Sequence, residues 1–369
     1  MRVGLVAPPF IPVPPVKYGG TELFVANLAR GLHAKGHDVT VYANGDSRVE
    51  CQLKWRYAHA DWPVANAMAA QLKNDDHTAW AIHDAGRSVD LLHLNDIVGV
   101  PLTRFVNIPV VVTIHHMHEP ALSDLYSKYP LDYVAISRAQ ARREQMPKIH
   151  VVPHGVPIDD YVFRARKEDY LAFLGRMAPC KGAHVAIEVA RRAGMRLKLA
   201  GEIQPCFREY WERQILPHVD GRSIEYIGEA DRSCKNELLS RARALLFPID
   251  WDEPFGLVMI ESMACGTPVL AFARGSVPEI VRDGVSGWIC RDTHELAHRA
   301  VAPGIPAESC RDWVAECFSR ERMVDRYLEI YRHALKEALN GRRHSISRPV
   351  LHPGYGVASS RAKRRPAAR

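Results

Sequence analysis

The sequence predicts an α/β protein built from two doubly wound domains of similar size, each a parallel sheet covered by helices on both faces. Short β-branched runs alternate with longer helical stretches. The series then restarts after a polar, charged stretch at 161–169. The length of 369 residues, at about 150 per domain, makes two or three domains.

The continuous apolar run 3–7 reads as a buried parallel strand. Residues 21–35 carry Leu23, Ala26, Leu28, Ala29 and Leu32 on a helical stripe. Thr21 is the N-cap candidate, and Gly36 stands where a C-cap glycine belongs. Strands are expected at 38–43, 91–94, 110–114, 133–136 and 151–152. Beyond the seam near residue 160, strands are expected at 171–174, 197–200, 225–227, 244–247 and 269–272. Residues 183–193 form a helix around Val185, Ile187, Val189 and Ala190, and further helices lie near 207–216, 235–241 and 257–264. Residues 308–339 are strongly helical and amphipathic. After Gly341 the composition turns to Arg, Ser, Pro and Gly, a disordered basic tail. The expected division is 1–160, 161–318, a terminal helix at 319–340 and the tail at 341–369.

A hydrophobic content of 47% and a charged content of 25% are those of an ordinary globular chain, which excludes disorder, collagen and coiled coil as the main architecture. No apolar run reaches the roughly 18 residues of a membrane helix. The net charge of +7 belongs to the tail, because eight of the 49 basic residues and none of the 42 acidic ones lie in 341–369. The body is therefore nearly neutral, with no electrostatic preference for nucleic acid. The eight scattered cysteines contain no CxxC and read as reduced thiols of a cytoplasmic protein. The opening MRVGLVAPPF is too short an apolar run for a signal peptide.

Four segments carry chemistry. Residues 247–272, FPIDWDEPFGLVMIESMACGTPVLAF, read as strand, loop and helix, with the helix starting near Gly256 or Leu257. A helix start offers free N–H groups and partial positive charge, suited to phosphate. Gly256 has no side chain to block that approach. Glu253 lies in the loop and Glu261 about one turn into the helix, where carboxylates accept hydrogen bonds from hydroxyls rather than meet a phosphate. That pairing suits a ligand joining phosphates to sugars, although acids favoured by the helix dipole explain the same pattern. Residues 173–184, FLGRMAPCKGAH, place Arg176 and Lys181 between a strand end and a helix, as a diphosphate would want or a solvated basic loop would show. Residues 14–22, PPVKYGGTE, put Gly19 and Gly20 before a helix, a ligand-approach loop or a simple turn, and not GxGxxG. Residues 113–118, TIHHMH, end a strand. Adjacent His115 and His116 point to opposite faces if the strand continues, so either one of them faces the inter-domain cleft or they are ordinary loop histidines, and no zinc-type spacing accompanies them. Asp250-Trp251-Asp252 matches DxD formally and is read as structural.

Together these segments resemble the retaining glycosyltransferases of family 4, with the GT-B fold. GGTE at 19–22, VVPHG at 151–155, GRMAPCKG at 175–182, EPFGLVMIESMACGTPV at 253–269 and GSVPEIVRDGVSGWI at 275–289 carry the likeness in order along 1–340. Glu253 and Glu261 hold the spacing of the family's E-x7-E element. The resemblance implies two Rossmann-like domains facing across a cleft, with the terminal helix packing back on the first. It implies transfer of a sugar from a nucleoside-diphosphate sugar to an acceptor hydroxyl, with no metal or other cofactor. Glu253 would bind the donor sugar, and backbone amides at Phe255, Gly256 and Leu257 the sugar and phosphate. Glu261 would bind ribose, and Arg176 and Lys181 the departing diphosphate. Gly20, beside Gly19, would admit the first domain's loop to that phosphate. His115 matches the family's cleft histidine, with His116 beside it. The acceptor, whether saccharide, lipid or small molecule, is not specified. The run 53–61, LKWRYAHAD, meets an acceptor or membrane surface or forms a plain helix face. The alternatives are a sugar-nucleotide epimerase or hydrolase, and a non-enzyme whose basic tail contacts an anionic polymer or membrane.

Overall fold

The computed structural model describes residues 1–345, and side chains through residue 340. The first sheet contains β1 (Arg2–Val6), β2 (Asp38–Ala43), β3 (Gln52–Trp55), β4 (Leu91–Leu94), β5 (Val110–Ile114), β6 (Asp132–Ala135) and β7 (Ile149–Val151). Its order is β3-β2-β1-β4-β5-β6-β7, and every pairing is parallel. The helices α1 (Gly20–Ala34), α2 (Ala67–Ser88), α3 (Pro120–Ser127) and α4 (Arg138–Ala141) connect these strands.

The second sheet contains β8 (Tyr170–Leu174), β9 (Arg196–Ala200), β10 (Ile224–Tyr226), β11 (Ala244–Phe247), β12 (Val269–Phe272) and β13 (Gly287–Cys290), in the parallel order β10-β9-β8-β11-β12-β13. Its helices are α5 (Ala183–Ala193), α6 (Arg208–Tyr210, continuing irregularly), α7 (Arg232–Arg241), α8 (Leu257–Ala264), α9 (Val277–Ile280), α10 (Thr293–Val301) and α11 (Ala307–Cys317). In each sheet the strand order reverses beside the first strand, at β1/β4 and β8/β11. A crevice opens at such a point, outside the carboxyl ends of the strands.

Residues 308–339 are not one helix. The chain breaks at Phe318–Ser319 and resumes as α12 (Arg320–Ser345). There the two inter-domain strands of chain pair by backbone: Val156 N–H donates to Phe318 O and Arg320 N–H to Val156 O, both at 2.9 Å. Helical periodicity runs through the break because the apolar stripe continues on both sides of it. α12 then packs on the first domain. Val324, Tyr327, Leu328 and Tyr331 join the core that holds Val3, Leu5, Leu28 and Val41. Tyr331 Oη lies 2.6 Å from His93 Nδ1, and Tyr327 Oη lies 2.9 Å from Thr113 Oγ1. At Gly31 α1 leaves no room for a side chain against α12: a Cβ there would lie 2.4 Å from Val324 Cγ2.

Three further expectations change. Residues 53–61 are not a helix face, because β3 occupies 52–55 as an edge strand in register with β2. The long helix α2 lies in a stretch with no evident pattern. Its buried stripe, His77, Thr78, Ala81, Ile82 and Ala85, is polar or small apart from Ile82 and so gives little hydropathy signal. Thr21 is not an N-cap: α1 starts at Gly20 behind Gly19, whose φ of 146° an L side chain rarely adopts. α12 runs on to Ser345, the last described residue of the segment expected as tail. The remainder, with any contact it makes to an anionic polymer or membrane, lies outside the described residues. Among the described residues no helix is long and apolar enough to cross a membrane.

Candidate active site

The crevices of the two sheets face each other around one cavity of about 760 Å³. The loop after β11 is folded by its neighbours. Gly275 packs so tightly on Glu253 that a Cβ there would sit 2.4 Å from the Glu253 backbone. Ser276 N–H donates to Glu253 O at 3.0 Å, and Ser276 Oγ to Phe255 O at 2.8 Å. Gly256 then turns into α8 with φ 80°, where a Cβ would lie 2.7 Å from Met259 Cε. The first turn of α8 therefore opens onto the cavity with no side chain at its cap, and its N–H groups are the natural anion donors.

The loop after β8 is tied to this one. Asp250 N–H donates to Cys180 O at 2.9 Å, and a Cβ on Gly182 would overlap Pro248 O. Lys181 is thereby carried to Glu253, with Nζ 2.5 Å from Oε2. Trp251 Nε1 donates to the same oxygen at 3.0 Å, and Lys181 Nζ sits 4.4 Å above the Trp251 ring. Lys181 and Glu253, placed in separate roles on the sequence, thus form one buried pair. Arg176 stands apart from them. Its guanidinium makes a long hydrogen bond, Nη1 to Gln204 Oε1 at 3.4 Å, and lies 5.8 Å over the Tyr18 ring.

Glu261 is almost fully buried and accepts from Lys235 Nζ at 2.6 Å and Tyr161 Oη at 3.1 Å. Burial and that carboxylate hold the Tyr161 phenol well above its usual pKa. Across the cleft, Gly20 faces the start of α8: a Cβ there would be 3.7 Å from Leu257 Cδ1.

Of the three histidines in the 113–118 segment, His115 and His116 line the cavity. His116 is engaged by Tyr126 Oη and Met117 O, each at 2.6 Å. His115 lies in a column of rings: Phe24 at 4.9 Å, and His154, stacked at 5.5 Å, which in turn meets Phe255 at 4.9 Å. Asn95 Nδ2 donates to Val6 O, which turns Asn95 Oδ1 toward His115 Nε2 at 3.0 Å. Nε2 therefore carries the proton and Nδ1 keeps its lone pair. Burial pushes His115 well below its usual pKa and His154 down to about 3, so both rings are neutral at pH 7.

Asp250 and Asp252 each answer an arginine, Arg274 at 3.1 Å and Arg143 at 2.6 Å. Among the described residues no group of three His, Cys, Asp or Glu side chains is placed to hold a metal ion.

Residues 18–160 match the family described as Glycosyltransferase Family 4, and residues 160–302 match Glycosyl transferases group 1. The chain belongs to glycosyltransferase family 4. As a family 4 enzyme it is 26% identical over 341 residues to the phosphatidyl-myo-inositol mannosyltransferase of Mycobacterium tuberculosis, covering 83% of this chain and 87% of that one. It is 27% identical over 342 residues to the same organism's glycogen synthase, covering 77% and 82%. The crystal structure of a glycosyltransferase involved in avilamycin A biosynthesis superposes with a TM-score of 0.67 at 26% identity, covering 91% and 98%. The architecture of this glycosyltransferase is GT-B, with two parallel-sheet domains across a cleft.

All the site residues named from the sequence line this one cavity. Tyr161, Lys235, Trp251, His154 and Asn95 were not among them. His154 stood in a quoted motif with no role attached. Trp251 likewise stood in the 247–272 segment with no role attached, and Tyr161, Lys235 and Asn95 carry no local signal, because their positions become meaningful only through partners elsewhere in the chain.

Proposed function

We propose that this family 4 enzyme transfers a sugar, with retention of anomeric configuration and without a metal, from a nucleoside-diphosphate sugar to an acceptor hydroxyl. The observation that carries this reading is convergence. The open start of α8, Arg176, Lys181, Glu253, Glu261 and neutral His115 line one cavity, although they come from both domains.

The diphosphate lies against the α8 amides of Gly256 and Leu257 and the two cations, which stabilise the charge that develops as it leaves. Gly20 leaves room for it from the other side. Glu261 accepts from the ribose, and Glu253 from hydroxyls of the sugar. Sugar binding then means replacing part of the Lys181–Glu253 contact, which frees Lys181 for phosphate. His115 offers an uncharged imidazole beside the sugar, so it adds a hydrogen bond without competing for the anion. The acceptor oxygen attacks the anomeric carbon from the face the diphosphate leaves. A bond from acceptor oxygen to anomeric carbon forms as the bond to the diphosphate oxygen breaks, and the acceptor proton passes to that phosphate. The enzyme's share is charge stabilisation and positioning. With Arg176 and Lys181 at the diphosphate and Asp250 and Asp252 held by arginines, no metal is required.

Two relatives of similar identity bear the names of an inositol-lipid mannosyltransferase and a glycogen synthase, so likeness at this level leaves lipid and saccharide acceptors both in play. A thermal-shift screen against UDP-, GDP-, ADP- and TDP-sugars identifies the donor. Saturation at a hundred times Kd adds about 2.7 kcal/mol of stability. NMR of the product then reads the anomeric configuration. An inverted anomer, or donor consumed without any acceptor product, would refute the proposal. Full loss of turnover in EDTA would refute its metal-free part.

A further inference from the structure

We propose that Tyr18 and Trp62 of the first domain form an aromatic latch across the cleft mouth that positions Arg176 for the donor diphosphate. This rests on the reading of Arg176 given above. The two rings stack at 5.8 Å and 23°. Trp62 Nε1 reaches the second domain and donates to Glu202 Oε1 at 3.0 Å. Glu202 Oε2 accepts from Gln204 Nε2 at 2.9 Å, and Gln204 Oε1 accepts from Arg176 Nη1 at 3.4 Å. The Arg176 guanidinium lies over Tyr18, which closes a ring of five residues and two domains.

The chemistry of this ring is particular. Glu202 is 8% exposed, and a buried carboxylate needs donors. Trp62 and Gln204 satisfy one oxygen each. Because neutral Gln204 stands between Glu202 and Arg176, the guanidinium meets an amide rather than a carboxylate. Its charge and its other donors stay available to a phosphate. The backbone makes this arrangement compact: Gly201 at φ 146° packs against Gly175 O, where a Cβ would overlap that oxygen. Without the Trp62 N–H, Glu202 loses a partner and the nearby guanidinium becomes its best replacement. Trp62 is thus a positioning residue that acts through Glu202 and Gln204.

The test is calorimetric titration with UDP, GDP and ADP and the matching monophosphates. The ratio of monophosphate to diphosphate Kd reports the grip on the second phosphate. Trp62 is 41% exposed, so Trp62→Phe folds, and melting temperature verifies this. Trp62→Phe is expected to lower the ratio about tenfold, the scale of one hydrogen bond to a charged group. Arg176→Ala lowers it at least as much, and adding Trp62→Phe to Arg176→Ala lowers it no further. Trp62→Phe/Glu202→Gln restores it, because an amide does not capture the guanidinium. A wild-type ratio in Trp62→Phe, an equal further loss on top of Arg176→Ala, or no recovery with Glu202→Gln overturns the latch alone. An unchanged ratio in Arg176→Ala overturns the reading of Arg176 and the latch with it.

Discussion

Replacing Lys181 with Met keeps the aliphatic stem and removes only the charge. The Lys181 and Glu253 side chains are 15% and 10% exposed, so the substitution leaves a buried carboxylate without its cation. Removing one partner of a buried pair costs about 3–5 kcal/mol. Trp251 Nε1 still donates to the same oxygen, which places the cost near the lower end, about 3 kcal/mol, or roughly 4 °C in melting temperature for a chain of this length. The loss in turnover has a different origin. The cation is proposed to stabilise charge on the leaving diphosphate, and deleting one such contact typically costs about 10²–10³ in rate. The two effects separate in the double variant Lys181→Met/Glu253→Gln. Removing both charges returns stability to within about 1 kcal/mol of wild type, because no uncompensated ion remains. Turnover stays low, since neither the cation nor the carboxylate proposed to hold the sugar is present. Thermal melts give the first quantity, and release of nucleoside diphosphate at saturating donor gives the second. Wild-type turnover in Lys181→Met, or full activity in the double variant, would refute the assigned chemistry. An unchanged melting temperature in Lys181→Met would refute the energetic argument.

Glu22, 5% exposed at the start of α1, is pushed up to about 7 mainly by burial, with a smaller contribution from the Asp96 carboxylate. Its folded pKa exceeds its unfolded one, so its contribution is complete below about pH 4.5 and is lost as pH rises through about 7. Glu22→Gln should therefore match wild type near pH 4.5 and exceed it by about 3 kcal/mol at pH 8 in denaturant melts, and a pH-independent difference would contradict this. Gly31→Ala would set a Cβ 2.4 Å from Val324 Cγ2 and should destabilise the protein by about 1–3 kcal/mol by overpacking α1 against α12. Val324→Ala in the same background should recover part of the loss, and additive losses would show that the contact is not the cause.

The strands on either side of each crevice were legible because a parallel sheet covered on both faces needs continuous apolar runs, as at 3–6 and 244–247. β3 and α2 were not, since a half-exposed edge strand and a helix buried through His77, Thr78 and Ala81 carry no strong hydropathy signal. The groups proposed to bind the donor were legible for a related reason. Arg176, Lys181, Glu253, Gly256 and Glu261 each sit in a single strand–loop–helix unit, where spacing alone places a side chain at the crevice.

The sequence by itself determined two doubly wound units and the local chemistry at the mouth of the second. Which groups meet there was a tertiary matter. Glu261 receives Tyr161 from 100 residues away, Glu202 receives Trp62 from 140 away, and His93 receives Tyr331 from 238 away. Periodicity and spacing encode only what neighbours along the chain do to one another. The pairing of Lys181 with Glu253, the neutrality of His115 and the Trp62–Glu202 bridge between the domains follow from burial and from contacts that exist only once both sheets and α12 are in place.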